Sequence, residues 1–373
     1  METNESRISI QIPAAAPAAY AAEISRGALA RAGAVVRRYL PAGGRAVVVT
    51  NPTVRRFWGA PLEASLAAEQ IPHTVLELPD GESFKRLAEL ERLADQMVAA
   101  GCDRETLVVA LGGGVVGDVA AFLASIYMRG VGMMQIPTTL VAMIDSALGG
   151  KTGVNLAHGK NLIGSFYHPG CILVDPEVLS TLPAREFRAG MAEAVKYGVI
   201  GDLELFQLIE SRPRGWEADP PALDAMITAC LRQKAGVVMG DEREGGRRRI
   251  LNFGHTLGHA LESATDYGRF RHGEAVAWGM IAAGRIAVLR GSFPAEAAAR
   301  MNKVIFAACG PLPAIETAPD VILRHAASDK KARAGVLHFV LPTAIGEVEV
   351  VRDVPAALIL AALADTIKIE VTR

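Results

Sequence analysis

The sequence predicts a parallel α/β domain followed by a mainly helical one, and three observations carry that prediction. Short β-branched runs alternate with amphipathic stretches through the first half; one run leads straight into a glycine-rich turn that opens a helix; and beyond about residue 185 long Ala-, Leu- and Met-rich segments with 3.6-residue spacing dominate. Strands alternating with helices imply a parallel sheet covered on both faces.

In chain order, residues 45–50 read as a buried strand closed by Asn51-Pro52, and residues 73–78 as a second, followed by the turn Pro79-Asp80-Gly81. Residues 83–100 have helical periodicity and stop at Gly101. A third strand over 106–111 runs into Gly112-Gly113-Gly114, a helix is expected over 119–128, and a further strand over 132–137. The domain boundary falls near Leu182-Pro183, because proline disfavours helix in the residue before it. Past it, helical patterns cover 185–209, 221–239, 251–264 and 273–289, with a late hairpin-like pair over 336–341 and 346–351. Pockets favour domain interfaces, so the site is expected between the halves.

Composition removes several classes of function. Thirty-nine basic against forty acidic residues leave a net charge of −1, which provides no global field for nucleic acid or an anionic membrane. Neither partner is expected. The four cysteines, Cys102, Cys171, Cys230 and Cys309, lie far apart without a CxxC pair, which argues against a disulfide scaffold and fits a reducing, cytoplasmic setting. Residues 1–7 carry two glutamates and no hydrophobic run, unlike a secretion signal, and no apolar stretch is long enough to span a bilayer.

Three segments carry chemistry. Gly112-Gly-Gly-Val-Val-Gly117 satisfies GxGxxG, in which glycines let the backbone approach a pyrophosphate and a helix N-terminus offers unpaired N–H donors. The acidic residue usual about 20 positions later is missing, so the motif departs from an ordinary dinucleotide fingerprint. Gly149-Gly-Lys-Thr152 echoes a P-loop, but Asp145 stands where its first glycine would fall. What remains is a glycine-rich loop presenting Lys151, Lys160 and Asn161, suited to phosphate or carboxylate. Finally, His255 and His259 stand at i, i+4 on one helical face, His272 precedes another helix, and Glu193 shares a face with Lys196. Two histidines and a carboxylate make a catalytic zinc site, although spacing alone leaves open which of the three histidines bind. The segment is not HExxH, since Thr256 follows His255. Further cations, Arg129, Lys234, Arg248 and Lys330-Lys331, fall in or near these segments and suggest a small substrate with two or more negative groups.

The ordered set Gly114-Val-Val-Gly-Asp118, Arg129-Gly130, Pro137-Thr-Thr139, Asp145-Ser146, Gly149-Gly-Lys-Thr-Gly-Val-Asn155, Gly159-Lys-Asn161, Ala192-Glu193, Lys196-Tyr-Gly198, Asn252-Phe-Gly-His255 and His272-Gly-Glu274 resembles the 3-dehydroquinate synthases of the sugar-phosphate cyclase family. The resemblance spans about residues 9–350. It implies a Rossmann-like, NAD-binding α/β domain over 1–184 and a mainly α-helical metal- and substrate-binding domain over 185–373, as in glycerol dehydrogenase-like proteins. Zinc, or cobalt, would be held by Glu193, His255 and His272, leaving His259 to contact substrate or handle a proton. NAD would lie along Asp80, Gly81, Glu82, Ser83, Phe84 and Lys85, then Gly114, Val115, Val116, Gly117 and Asp118. Thr138 and Thr139, the stretch Val178, Leu179, Ser180 and Thr181, and nearby Lys151 and Lys160 would complete that surface.

By the same resemblance, Arg129, Asp145, Lys151, Asn161, Lys196, Lys234, Arg248, Asn252, His259 and Lys331 match substrate-site positions, with Arg129 reaching a neighbouring subunit in a homodimer. The implied reaction turns 3-deoxy-D-arabino-heptulosonate 7-phosphate into 3-dehydroquinate and phosphate, a lyase step of the shikimate pathway to aromatic amino acids. It proceeds by transient NAD oxidation, phosphate elimination, re-reduction and intramolecular aldol closure. The alternatives are another sugar-phosphate cyclase, or a polyol dehydrogenase of the same fold.

Overall fold

The structure, a computed structural model, describes residues 19–156, 159–332, 337–352 and 354–369. Its first half is built on Ala46–Thr50 (β2) and Leu107–Gly112 (β4), in which every residue is buried. Such unbroken apolar, β-branched runs belong in a parallel sheet packed on both faces. His73–Glu77 (β3), Gly132–Pro137 (β5), Cys171–Val174 (β8) and an early strand, Ala21–Ile24 (β1), complete it. The six strands run parallel in the order β1-β8-β5-β4-β2-β3.

The order reverses between β2 and β4, and in open α/β sheets the ligand crevice lies outside the carboxyl ends of the strands at such a reversal. Helices Ala32–Tyr39 (α1), Pro52–Val54 (α2), Ala60–Ala68 (α3), Leu87–Ala99 (α4) and Gly114–Ile126 (α5) connect the strands. A short antiparallel pair, Val154–Leu156 (β6) and Gly159–Ile163 (β7), stands apart from the sheet.

From Ala184 onward the chain is chiefly helical: Ala184–Gly201 (α6), Leu203–Ser211 (α7), Pro220–Gly240 (α8), His255–Ala264 (α9), His272–Arg290 (α10), Ala295–Cys309 (α11), Pro319–Ala332 (α12) and Ala356–Ile367 (α13). The hairpin His338–Ala344 (β9) and Glu347–Arg352 (β10) interrupts the series. Helices α6 and α10 are buried on every side through most of their length, so they form the centre of this half. They touch without side chains at Gly273, where a Cβ would meet the Ala189 carbonyl oxygen at 1.9 Å. No helix among the described residues is long and apolar enough to cross a membrane.

Several expected boundaries shift. The single pattern over 185–209 is two helices, because Asp202 breaks the run and accepts a hydrogen bond from Leu205 N–H as the cap of α7. Helix α5 begins at Gly114 rather than residue 119, since Gly113 is its cap, and a turn at Tyr127–Arg129 ends it early. The pattern over 83–100 is a turn, Glu82–Phe84, followed by α4, and that over 251–264 is a turn, Arg247–Asn252, followed by α9. The late hairpin is present, displaced by one to three residues.

Candidate active site

A cleft of about 860 Å³ opens at the carboxyl ends of the strands and is closed from the other side by α9, α10 and α12. Its sheet-side wall comes from the residues that follow each strand: Asn51 and Thr53 after β2, Asp80 to Glu82 after β3, Gly113 to Val116 after β4, and Thr138 and Thr139 after β5. The hydrogen-bond ladder of α5 starts with Gly117 N–H donating to Gly113 O, so the N–H groups of Gly114, Val115 and Val116 face the cleft mouth, an arrangement made for anions. Thr53 donates to Asp80 at 2.8 Å, and Asn155 donates to Glu82 at 2.7 Å, holding the acidic turn in place. Lys85, only 4% exposed, forms an ion pair with Asp118 at 2.5 Å and also donates to Asn161. Burial nevertheless raises the Asp118 carboxyl above its usual range, with Lys85 offsetting only part of that.

On the helical side, His255, His259 and His272 offer ring nitrogens that all lie within 4.8 Å of one another. Glu193 reaches them from α6: its Oε1 is 3.6 Å from His255 Nε2 and 3.4 Å from His272 Nε2. A tetrahedral ion about 2.1 Å from each ligand holds ligand atoms about 3.4 Å apart, so this trio has the spacing of a metal site. The Glu193 carboxylate is fully buried, and neither oxygen makes a well-formed hydrogen bond, although Lys196 Nζ sits 2.5 Å from Oε2. Such orphaned acceptors are what a cation would satisfy. Burial would push this carboxyl up, but Lys196 and His255 hold it well below the usual carboxylate range. Burial drives His255 down to about 3, whereas at His272 the adjacent Glu193 and Glu262 carboxylates overcome burial and lift it to about 10.

Behind Glu193 and the histidines lies a buried charge network. Lys234 donates to the Asp145 carbonyl at 2.5 Å and also pairs with the Asp145 carboxylate; Lys196 lies 4.0 Å from that carboxylate, and Tyr197 donates to it at 2.7 Å. Against the burial that would raise it, Lys196 and Lys234 hold Asp145 well below its usual range. Burial drives Lys234 down, while Asp145 and Glu193 keep Lys196 raised. Arg248, buried, donates to Gly149 O at 3.0 Å, and Gly149 must itself be glycine here, at φ +108° with a Cβ position 2.5 Å from that guanidinium.

The structure does not bring every expected residue to the cleft. Of the stretch after Pro176, only Thr181 lines it, accepting from Trp58 Nε1 at 2.8 Å; Val178 and Leu179 are buried in the core, and Ser180 is exposed with its hydroxyl on Glu177 O. Ser83 and Phe84 face outward from the turn, and Gly117 packs against Gln135. Lys151 points to Glu244, which also accepts from Asn252 at 2.5 Å, so both expected anion ligands are engaged by a carboxylate of the loop after α8. Arg129 is exposed on a turn with left-handed backbone at Met128 and Arg129 and does not line the cleft. Lys331 lies at the end of α12, and its side chain is outside the described residues. The sequence reading gave no role to Glu262, Glu244, Tyr197 or Thr53. Glu262 was findable, since it stands seven residues after His255 on the same face of α9.

Fold and cleft together define the class shared by sugar-phosphate cyclases and glycerol dehydrogenase-like proteins. The chain belongs to the 3-dehydroquinate synthase family: the model of the family's N-terminal part matches residues 75–189 and that of its C-terminal part residues 190–332. It is 48% identical over 347 residues to a 3-dehydroquinate synthase of Solibacter usitatus, covering 92% of this chain and 95% of the relative. To one from Koribacter versatilis it is 49% identical over 333 residues, covering 89% and 91%. Among solved structures, a 2-epi-5-epi-valiolone synthase from Streptomyces hygroscopicus with NAD+ and Zn2+ bound superposes with TM-score 0.88 at 30% identity, covering 95% of this chain and 99% of the other. A 2-deoxy-scyllo-inosose synthase complexed with carbaglucose-6-phosphate, NAD+ and Co2+ gives 0.80 at 27%, covering 93% and 96%. Glycerol dehydrogenase from Schizosaccharomyces pombe, at TM-score 0.65 and 18% identity over 93% of this chain and 88% of the other, shares the fold.

Proposed function

We propose that the chain is a carbon–oxygen lyase that converts 3-deoxy-D-arabino-heptulosonate 7-phosphate to 3-dehydroquinate and phosphate, with NAD as a recycled cofactor and a zinc or cobalt ion. One observation carries this above all: His272, which with His255 faces buried Glu193, lines the same cleft as the α5 N-terminus, and buried Lys196 pairs with Glu193 behind it. Identities of 48–49% to dehydroquinate synthases, against 30% to the valiolone synthase, favour this substrate over those of neighbouring cyclases.

Glu193, His255 and His272 would hold the metal, and Gly114 to Val116, Asp80 and Thr138 the dinucleotide. When bound, the dinucleotide supplies a reversible hydride acceptor and the ion a Lewis acid for an alcohol. The chain's own groups supply orientation and charge. Lys196 and Lys234 are held beside Asp145 in a water-poor pocket, where charges on a substrate's oxygens are felt strongly. Lys151, Asn252, Arg248 and Asn161 would fix the phosphate and carboxylate, the first two exchanging Glu244 for substrate. His259, beside His255 and His272, is placed to contact the substrate and hold a proton. Much of the acceleration would come from this positioning.

The exposed Arg129, on its strained turn away from the cleft, supports a homodimer in which each copy lends this guanidinium to the other's site. Four free, buried cysteines support a reducing, cytoplasmic setting. Incubation with catalytic NAD+, Zn2+ and the heptulosonate phosphate should release phosphate and dehydroquinate one for one, with no net NADH. Accumulation of NADH, or faster turnover of sedoheptulose 7-phosphate, would overturn the assignment.

A further inference from the structure

Glu262 is a buried carboxylate, 3% exposed, facing the cleft two helical turns beyond His255. Both of its oxygens are engaged. Oε2 lies 3.2 Å from His272 Nδ1, and Oε1 accepts from Lys160 Nζ at 3.0 Å. Lys160 belongs to β7, on the sheet side of the cleft, and its ammonium lies 4.4 Å over the Tyr267 ring. An ionised carboxylate can only accept, so His272 Nδ1 donates to Glu262, and Nε2, 3.4 Å from Glu193, is the nitrogen that an ion would take in place of a proton. His255 is arranged alike by other means: its Nδ1 lies 3.0 Å from the Phe253 carbonyl oxygen, and its Nε2 faces the same Glu193 oxygen at 3.6 Å.

We infer that Glu262 is a positioning residue for the metal: it fixes the tautomer and ring orientation of His272 and ties that ligand, through Lys160, to the β6–β7 hairpin across the cleft. The inference rests on His272 being a metal ligand. A buried carboxylate is retained only where its charge is compensated, and here Lys160 and His272, one on each wall of the cleft, contribute to that compensation. Carboxylates that accept from a ligating histidine are worth about 10–100-fold in metal affinity or activity. Nothing in the sequence motifs demanded an acid at this position. The geometry does.

The test is a competition titration of Zn2+ against a chromophoric chelator, run on the full chain and on His272→Ala, Glu262→Leu, Glu262→Asp and Glu262→Gln. Visible spectra of the Co2+-loaded proteins provide a readout independent of turnover. Glu262→Leu should weaken Zn2+ by about 10–100-fold and shift the Co2+ bands, because the imidazole loses its guide. Glu262→Asp, which keeps the charge but withdraws the oxygen, should weaken binding too and serves if the leucine variant fails to fold. Glu262→Gln keeps an acceptor and should restore most of the affinity. If His272→Ala weakens Zn2+ while the leucine and aspartate variants bind as tightly as the unaltered chain with unchanged Co2+ spectra, Glu262 does not position the ligand. If His272→Ala itself leaves Zn2+ affinity intact, the ligand assignment fails and the inference falls with it.

Discussion

Gly273→Ala tests whether the proposed metal trio depends on the close approach of two helices. Gly273 follows His272 at the start of α10, and a Cβ there would sit 1.9 Å from Ala189 O and 2.6 Å from its carbonyl carbon. Since real Cβ contacts essentially never fall below 3.0 Å, α10 and α6 must separate locally by at least about an ångström. Ala189 lies one turn before Glu193, so the displacement acts directly on the 3.4 Å separation of His272 Nε2 and Glu193 Oε1. Metal sites tolerate about 0.2 Å in ligand distance. A misplacement of about 1 Å should therefore cost turnover on the order of 10²-fold, while overpacking costs about 1–3 kcal/mol of stability. Zn2+ affinity by chelator competition and phosphate release, measured beside denaturant unfolding of the metal-free protein, separate the two effects. A variant that binds Zn2+ and turns over within twofold of the unaltered chain would refute the reasoning.

Other expectations follow from the charge network and the cleft. Lys196→Met leaves buried Glu193 without its partner at 2.5 Å and should cost about 3–5 kcal/mol in metal-free protein. Saturating Zn2+ should recover much of that loss in denaturant melts, and equal losses with and without metal would count against Glu193 as a ligand. Lys85→Met removes the ion pair to Asp118, and loss of a charged hydrogen bond should cost about 1.5–3 kcal/mol of stability, measured by denaturant unfolding; an unchanged midpoint would count against the pair. Arg129→Ala and His272→Ala should each be inactive alone, yet regain part of the activity when subunits are mixed and allowed to exchange. No recovery in verified mixed dimers would keep Arg129 out of the neighbouring site.

Much of the architecture was legible because it is written in local patterns. The all-buried run of β2 and the strand-to-glycine junction at Gly112 announce a parallel sheet, and the i, i+4 pair His255 and His259 announces a polar helical face. What stayed hidden depends on contacts distant in sequence. Asp202 ends α6 by capping α7, a competition between two good helical patterns that periodicity does not decide. Strand β8, only four residues long, gains its identity from β1 and β5 on either side, its partners being far away in the chain. The pairing of Lys151 and Asn252 with Glu244 arises from a loop with no motif of its own, whose Asp241 accepts from the N–H groups of Gly245, Gly246 and Arg248. The proposed metal ligands on α6, α9 and α10 were named through family resemblance; spacing alone left the histidines open, because three separate helices converge only in the folded chain.

The most direct test of the account is a crystal structure of the chain with Zn2+, NAD+ and a non-reactive analogue of the heptulosonate phosphate. The ion should rest on Glu193, His255 and His272, with the nicotinamide ring and the ion meeting one alcohol-bearing carbon of the analogue and the lysines of the Asp145 network on its anionic groups. An ion bound elsewhere, or a nicotinamide too far from it to share that carbon, would contradict the account.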